Sequence, residues 1–546
     1  MGKLDLADIQ GNIHRPYGRF GFPHSRHLFF HIADAAAGRR FVDAVVPRVT
    51  TAEPWEKVDA PDGTAAVLKP PITLNIGFSW LGLHALDLPT HTLRLLPDEF
   101  IDGMGCRAAI LGDIGDSAPA RWDPIWRAAE DTARPSVHMW ISLNVAAHPD
   151  GSPLPELAAW TAWLESLTVP GGVTLLTGHG ADGTLRWQDS TARMAAGPDG
   201  TRVPVPLEHF GFTDGISDPV FDGQFEGTAE ALAAKGGGKI AEGTFDADTS
   251  WSALATGEFI LGHVDEGQEL PVATQPQAFA RNGTFMVYRK LRQDVAAFEA
   301  EMTRQAAVWQ RVTGVTDDEE AAETVRAKIV GRWRNGIPLL AAPTYRESQV
   351  MGVEADACIA IALRKPRDSV EQARVNAYRA MLNGFRYGTD IDGAVCPLGA
   401  HVRRANPRDM LDPQVSATTG SSTLTNRRRL LRRGLPYEQP DGERGVIFMG
   451  ICASLFRQFE FIQQQWMNYG LDFEAGNDGC PLIGNRARIS ADITPDKHVV
   501  PAGPANAVPF IAVGLPQFVA TRGGEYFFVP GMGALRMIAM GTTDPT

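Results

Sequence analysis

Short apolar runs recur along the first two hundred residues, and each gives way to a stretch in which apolar positions return every three or four residues. The runs predict strands at "HLFFHI" (His27–Ile32), "ITLNIGF" (Ile72–Phe78), "SVHMWISLNV" (Ser136–Val145) and "VTLLTG". Between the first two, Asp34 is placed to cap a helix whose Phe41, Val42, Val45 and Val46 share one face. A helix-like segment around Leu81–Leu86 follows the second strand. Beyond the third comes a helix that starts at proline and carries Leu157, Trp160, Trp163, Leu164 and Leu167. Four strands and two main helices in this order predict a βαββαβ sandwich of ferredoxin type.

The same opening appears again. "GTFMVYRK" (Gly283–Lys290) predicts a strand, and Asp294 then starts a helix with Val295, Phe298, Met302, Ala306 and Trp309 at helical spacing. "GVIFMGIC" (Gly445–Cys452) and a helix with Leu455, Phe459, Ile462 and Trp466 form a further pair. The fold class read from this is α+β, with two similar halves. The division runs 1–205 and 206–546, and the second part carries long insertions. The stretch from Gly223 to Ser250, rich in Gly, Ala and acidic residues, predicts a flexible insertion. Its "KGGGKI" fails as a phosphate loop, since Ala233 and Ile240 replace required Gly and Ser/Thr positions. Thr313–Thr344 and Asp409–Arg433 read as long excursions.

A chain of 546 residues is too long for one ordinary core, which agrees with a two-part reading. The net charge of −13 argues against general nucleic-acid binding, and the basic run "RRRLLRR" (Arg427–Arg433) reads as a solvated surface segment. No apolar run is long enough to span a membrane, and the first residues hold neither a secretory apolar core nor twin arginines. The five cysteines are scattered, without CxxC or CxxCH spacing. The expectation is a reduced, cytoplasmic protein with no nucleic-acid or membrane partner.

Two segments make little sense as packing. In "EHFGFTDGISDP" (Glu208–Pro219), Asp214 sits in a turn flanked by glycine, where backbone amides can approach a ligand. An Asx turn that caps a helix is the structural alternative. In "CPLGAHVRRANPRD" (Cys396–Asp409), His401 is followed by Arg403, Arg404 and Arg408. Their field favours neutral imidazole, the form that binds iron, and arginines suit carboxylate partners. The alternative is a basic surface loop.

Together with "DIQGNI", "NGTFMVYRKLRQDV" and "LRRGLPY" (Leu431–Tyr437), these segments resemble the dye-decolourising peroxidases from Asp8 to about Asn485. The GxxDG pattern (Gly211, Phe212, Thr213, Asp214, Gly215) and "GAHVRRANPR" are the specific blocks. The resemblance implies two ferredoxin-like halves, with non-covalent haem b held mainly by the C-terminal half. It implies His401 as iron ligand, Asp214 as the acid on the opposite side and Arg432 as the arginine beside it, with Arg433 the neighbouring choice. Arg408 is implied near a propionate and Arg403 less strongly. Gly215, Ile216 and the apolar positions Ile447 and Phe448 would lie along the pocket wall. Hydrogen peroxide and an organic electron donor (a dye or phenol) are the implied partners.

One position departs from the pattern. Members of the family usually carry a carboxylate before a Pro-x-Ile-Gly turn, to accept the second N–H of the proximal histidine. Here the turn is "NDGCPLIGN" (Asn477–Asn485), with Cys480 at that place and Asp478 two residues earlier as a possible substitute. Without an acid there, high-valent iron is less well supported. A haem-binding or iron-handling protein with little peroxidase turnover therefore stands as an alternative. A non-haem anion-binding protein is the other. Because a carboxylate stays ionised down to acidic pH, the peroxidase reading predicts an acidic optimum.

Overall fold

The computed structural model describes residues 4–59, 65–127, 134–197, 200–246, 250–271, 274–363, 368–487 and 497–544. The first unit runs β1 (His24–Ile32), α1 (Ala35–Val45), β2 (Ile72–Phe78), β3 (Met139–Val145), α2 (Glu156–Ser166) and β4 (Val173–Leu175). Asp34 caps α1 as predicted, its side chain accepting from Ala37 N. The antiparallel order is β2-β3-β1-β4, with the strand Gln188–Thr191 added beside β1.

The second unit repeats the plan with insertions. After β5 (Thr284–Gln293) and α3 (Val295–Thr313) come α4 (Asp318–Val330), α5 (Tyr345–Leu363), α6 (Ser369–Asn383) and the short α7 (His401–Ala405). Only then follow β6 (Leu431–Arg432), β7 (Arg444–Cys452) and, near the end, β8 (Val519–Val529). The order β6-β7-β5-β8 matches the first unit strand for strand. The chain is α+β, with the two ferredoxin-like units joined edge to edge where β8 meets β2 at Phe528 and Phe78. One hydrophobic core runs across both, from Ile9 and Phe29 to Phe527 and Ile538.

Three expectations need correction. The stretch after Gly223 is not simply a flexible insertion: Thr228–Gly237 is a kinked helix that buries Ala234, Gly236 and Gly237. Its glycines let backbone pack where a side chain would collide, and a Cβ on Gly238 would lie 1.9 Å from Ser252 O. The excursion Thr313–Thr344 contains α4, in which Ala321, Val325 and Ile329 are buried. The helix predicted from Leu455 has π-helical turns over Leu455–Glu460 and Ile462–Met467. Their wider turn carries Gln458, Phe459 and Glu460 inward together.

Candidate functional site

The linker between the units, the insertion after α3 and the edge strand β6 converge on one region. Asp214 lies in the linker. Pro206 O accepts from its backbone N–H, and its own Oδ1 accepts from Gly215 N, with Gly215 at φ +78°. Arg432, on β6, brings Nη1 to 3.7 Å from Asp214 Oδ1, donates from Nη2 to Ile216 O at 2.5 Å and is held at its backbone N–H by Asp218. Both side chains of the pair remain partly open, 38% for Arg432 and 48% for Asp214. Among the described residues no hydrogen bond is made to Asp214 Oδ2.

Arg433, one residue on, has a different fate. It is buried, donates to the carbonyls of Asn12 and Ile13 and pairs with Asp218 at 2.8 Å. The alternation of a strand decides between the two: neighbouring side chains leave opposite faces, so only one of them can meet Asp214. Phe448 shares the face of Arg432, because Arg432 pairs with Gly450 and Phe448 lies two residues from it on β7. Ile447, on the other face, is buried in the core.

His401 opens α7. Its Nδ1 lies 3.3 Å from the sulfur of Cys480, which is fully buried. Asp478 does not take that role: it pairs with Lys497 through Nζ at 3.0 Å and accepts the Lys497 backbone N–H. No hydrogen bond or ion pair among the described residues joins His401 to Asp214 or Arg432. A six-residue turn ties the two sides together. A Cβ on Gly331 would touch Ala400 and Val402, which flank His401, and one on Gly336 would touch Thr213 and Ile216, which flank Asp214. Five residue steps span at most about 18 Å, so the segments that carry His401 and Asp214 lie in one region of the fold.

The same region holds cations that the sequence alone did not bring together. Arg332, in the same turn, donates to Gly336 O and Leu382 O and approaches Ser217 Oγ. Arg408 donates to Asn383 O and Phe385 O, reaches Ser217 Oγ at 3.3 Å and stacks 3.8 Å from the Phe385 ring centre. Arg429 donates to Gly237 O and Gly238 O. All three are buried, and among the described residues none has a carboxylate at ion-pair distance. Burial, and then the neighbouring guanidiniums, push Arg332 and Arg429 down to about 9. Burial pushes Arg408 down to about 10. Desolvated cations held only by neutral groups leave a favourable place for an anion. Arg408 and Ser217 also sit at φ +55° and +60°, unusual backbone for residues other than glycine.

Known proteins match this chain in sequence and in fold. The family model described as the DyP dimeric alpha+beta barrel domain matches residues 8–138. The dye-decolorizing peroxidase msp1 of Mycetinis scorodonius is 26% identical, over 98% of this chain and 88% of its own length. The multifunctional dye peroxidase DyP2 of an Amycolatopsis species is 26% identical, over 94% of this chain and 91% of its own. Along nearly its whole length the chain is similar to dye-decolourising peroxidases. Solved structures with the same fold include a DyP-type peroxidase from Auricularia auricula-judae, with TM-score 0.66, 21% identity and coverage of 99% and 100%. An ancestral D-type dye decolorizing peroxidase gives TM-score 0.66 at 23% identity, with coverage of 98% and 99%.

Two expectations about arginines change. Arg403 is not free to contact a cofactor: it is fully buried, pairs with Asp390 at 3.0 Å, donates to the carbonyls of Cys396 and Asp390 and lies over Tyr387. The run Arg427–Arg433 is not a solvated segment either. Arg427 pairs with Asp265, Arg428 stacks 3.7 Å from Phe461, Arg429 and Arg433 are buried, and Arg432 faces Asp214. Arg332 and Arg429 escaped the sequence reading because nothing in a lone arginine distinguishes a buried guanidinium from a solvated one.

Proposed function

We propose that this chain is a peroxidase that holds haem b non-covalently between His401 and the Asp214–Arg432 pair, and that it uses hydrogen peroxide to oxidise dyes, phenols or related organic donors. The single observation that carries the reading is the 3.7 Å approach of Arg432 Nη1 to Asp214 Oδ1 beside the buried, carboxylate-free guanidiniums of Arg332, Arg408 and Arg429. An acid and an arginine that share a half-open space are a proton shuttle with an anion stabiliser.

The donor set suits haem. A porphyrin brings two carboxylates, which answer the charge of Arg408 and its neighbours. Its flat apolar face suits Phe448 and Ile216, with Gly215 allowing close backbone approach. His401 supplies the nitrogen ligand through Nε2, since Nδ1 is turned to Cys480. When bound, haem supplies the redox-active iron at which the O–O bond of a peroxide is cleaved.

The chain's own groups would do the rest. Gly215 N–H and Arg432 hold Asp214 Oδ1, which leaves Oδ2 to take a proton from one peroxide oxygen and return it to the other. Arg432 stays protonated and so cannot act as the base. Anchored on Ile216 O, it presents its remaining donors to the peroxide and stabilises the charge that develops as oxygen leaves. The haem-binding alternative draws its support from the lack of an acid beside His401, where the facing atom is the Cys480 sulfur.

The test is reconstitution with haem followed by stopped-flow mixing with hydrogen peroxide. Arg432→Ala is expected to keep the Soret band and to react about a hundredfold more slowly. An unchanged rate would remove Arg432 and its partner from the reaction.

A further inference from the structure

The inference concerns Cys480 and rests on His401 as the iron ligand. A histidine that binds metal through Nε2 carries its proton on Nδ1, and that N–H needs an acceptor. The atom facing Nδ1 is the Cys480 sulfur, 3.3 Å away, within the 4.0 Å or so that hydrogen bonds to sulfur span. The Ile483 backbone N–H is directed at that sulfur, and the Arg404 guanidinium lies nearby. Arg404 is itself fixed by Trp466 O at 3.1 Å and Asp478 O at 2.7 Å.

The backbone of Cys480 is equally constrained. Its N–H donates to Met467 O at 2.7 Å, and its carbonyl accepts from Gly484 N at 2.9 Å and from the Arg486 side chain at 2.6 Å. The nearest carboxylate in the sequence, Asp478, is engaged with Lys497. Cys480 is therefore fully buried, rigidly mounted and aimed at the histidine's second nitrogen, with no acid among the described residues at hydrogen-bond distance of that nitrogen.

We propose that Cys480 is a positioning residue: its sulfur accepts the Nδ1–H of His401, fixes the imidazole so that Nε2 points at the iron, and sets how strongly the ring donates to the metal. A strong acceptor at Nδ1 makes the ring a better donor and favours ferric iron, whereas removing the acceptor does the reverse.

The experiment uses the full-length, haem-loaded chain as Cys480→Ala, Cys480→Ser and Cys480→Asp, with His401→Ala alongside. The readouts are the ferric/ferrous midpoint potential and the iron–histidine stretching frequency of the ferrous form by resonance Raman. Cys480→Ala is expected to raise the potential and lower the stretch, Cys480→Asp to move both the opposite way, and Cys480→Ser to fall between wild type and alanine. Should the buried aspartate prevent haem uptake, the ordering of wild type, serine and alanine still decides. Wild-type values in all the Cys480 variants that load, with the stretch absent from His401→Ala, would overturn the role of Cys480 and leave the axial ligand intact. A stretch that persists in His401→Ala would instead overturn the ligand assignment on which this inference rests.

Discussion

Arg432 and Arg433 are adjacent in sequence and opposite in consequence, and the contrast makes a sharp test. Arg433 is buried against Asp218, so Arg433→Ala takes an ion-pair partner from a largely buried carboxylate and is expected to destabilise the fold by roughly 3 kcal/mol in denaturant titrations. Arg432 is partly exposed at 3.7 Å from its acid, so Arg432→Ala should change stability by less than about 1 kcal/mol while slowing the reaction with peroxide. Asp214→Asn keeps the shape and removes the proton shuttle. It is expected to lose about 10²–10⁴-fold in peroxide reactivity with haem retained, and near-wild-type kinetics would show that the proton travels by another route. Nothing in the letters "RR" separates these outcomes. The separation comes from β6 pairing with β7, which turns one guanidinium to the core and the other to the linker.

At the scale of elements, the turn Gly331–Gly336 holds the two walls of the site in register. Gly336 has φ +89°, and a Cβ there would lie 2.7 Å from Ile216 Cδ1. Gly314, the C-cap of α3, has φ +80° with nothing within 4 Å. Alanine at either position bears a similar left-handed penalty of about 1–2 kcal/mol. Only Gly336→Ala is expected to slow peroxide reactivity as well, by displacing Ile216 and Asp214, so equal kinetics in the two variants would show that the turn does not set the site. Strands whose apolar runs are unbroken were legible in sequence: β2 has the predicted bounds, and β5 and β7 lie within a few residues of theirs. β8 was not legible, because Gly523 and Gly524 interrupt it. The fold needs both, since a Cβ on Gly523 would meet the Trp126 ring at 1.9 Å and one on Gly524 would meet Tyr288 O at 2.4 Å. Asp214, His401 and Arg408 stood out as candidates through short motifs. Arg332 and Arg429 did not, because their burial arises from the insertion folding over them and not from any local pattern.

Across the whole molecule, buried histidines set how the fold responds to acid. Burial, aided by nearby cations or a second histidine, lowers His14, His138 and His498 to about 4. It lowers His27 and His179 to about 3. The native state keeps these rings neutral while the unfolded chain protonates them near 6.5, so between about pH 6.5 and 4 unfolding takes up protons and stability falls as pH falls. A single ring lowered from 6.5 to about 4 accounts for about 3 kcal/mol at most. Glu258, raised to about 7, and Glu525, raised to about 6, act in the opposite sense, because burial keeps them protonated in the native state. Burial also lowers His24, His209 and His263 and raises Glu99, Asp113, Asp123, Glu208 and Asp222. With eight histidines against seven carboxyls, the Tm is expected to decline from pH 6.5 to pH 4. A flat or rising Tm over that range would refute the balance. An acidic optimum for dye oxidation would then be cut off on its low side by unfolding.

The central claim is that one cofactor lies between a histidine from the insertion and an acid–arginine pair contributed by the linker and the edge strand. The most direct measurement is a crystal structure of the chain reconstituted with haem. The account predicts His401 Nε2 on the iron, Asp214 and Arg432 across the opposite face, and porphyrin carboxylates against the Arg408 group. Iron ligated by any other side chain, or Asp214 and Arg432 on the same face as His401, would contradict it.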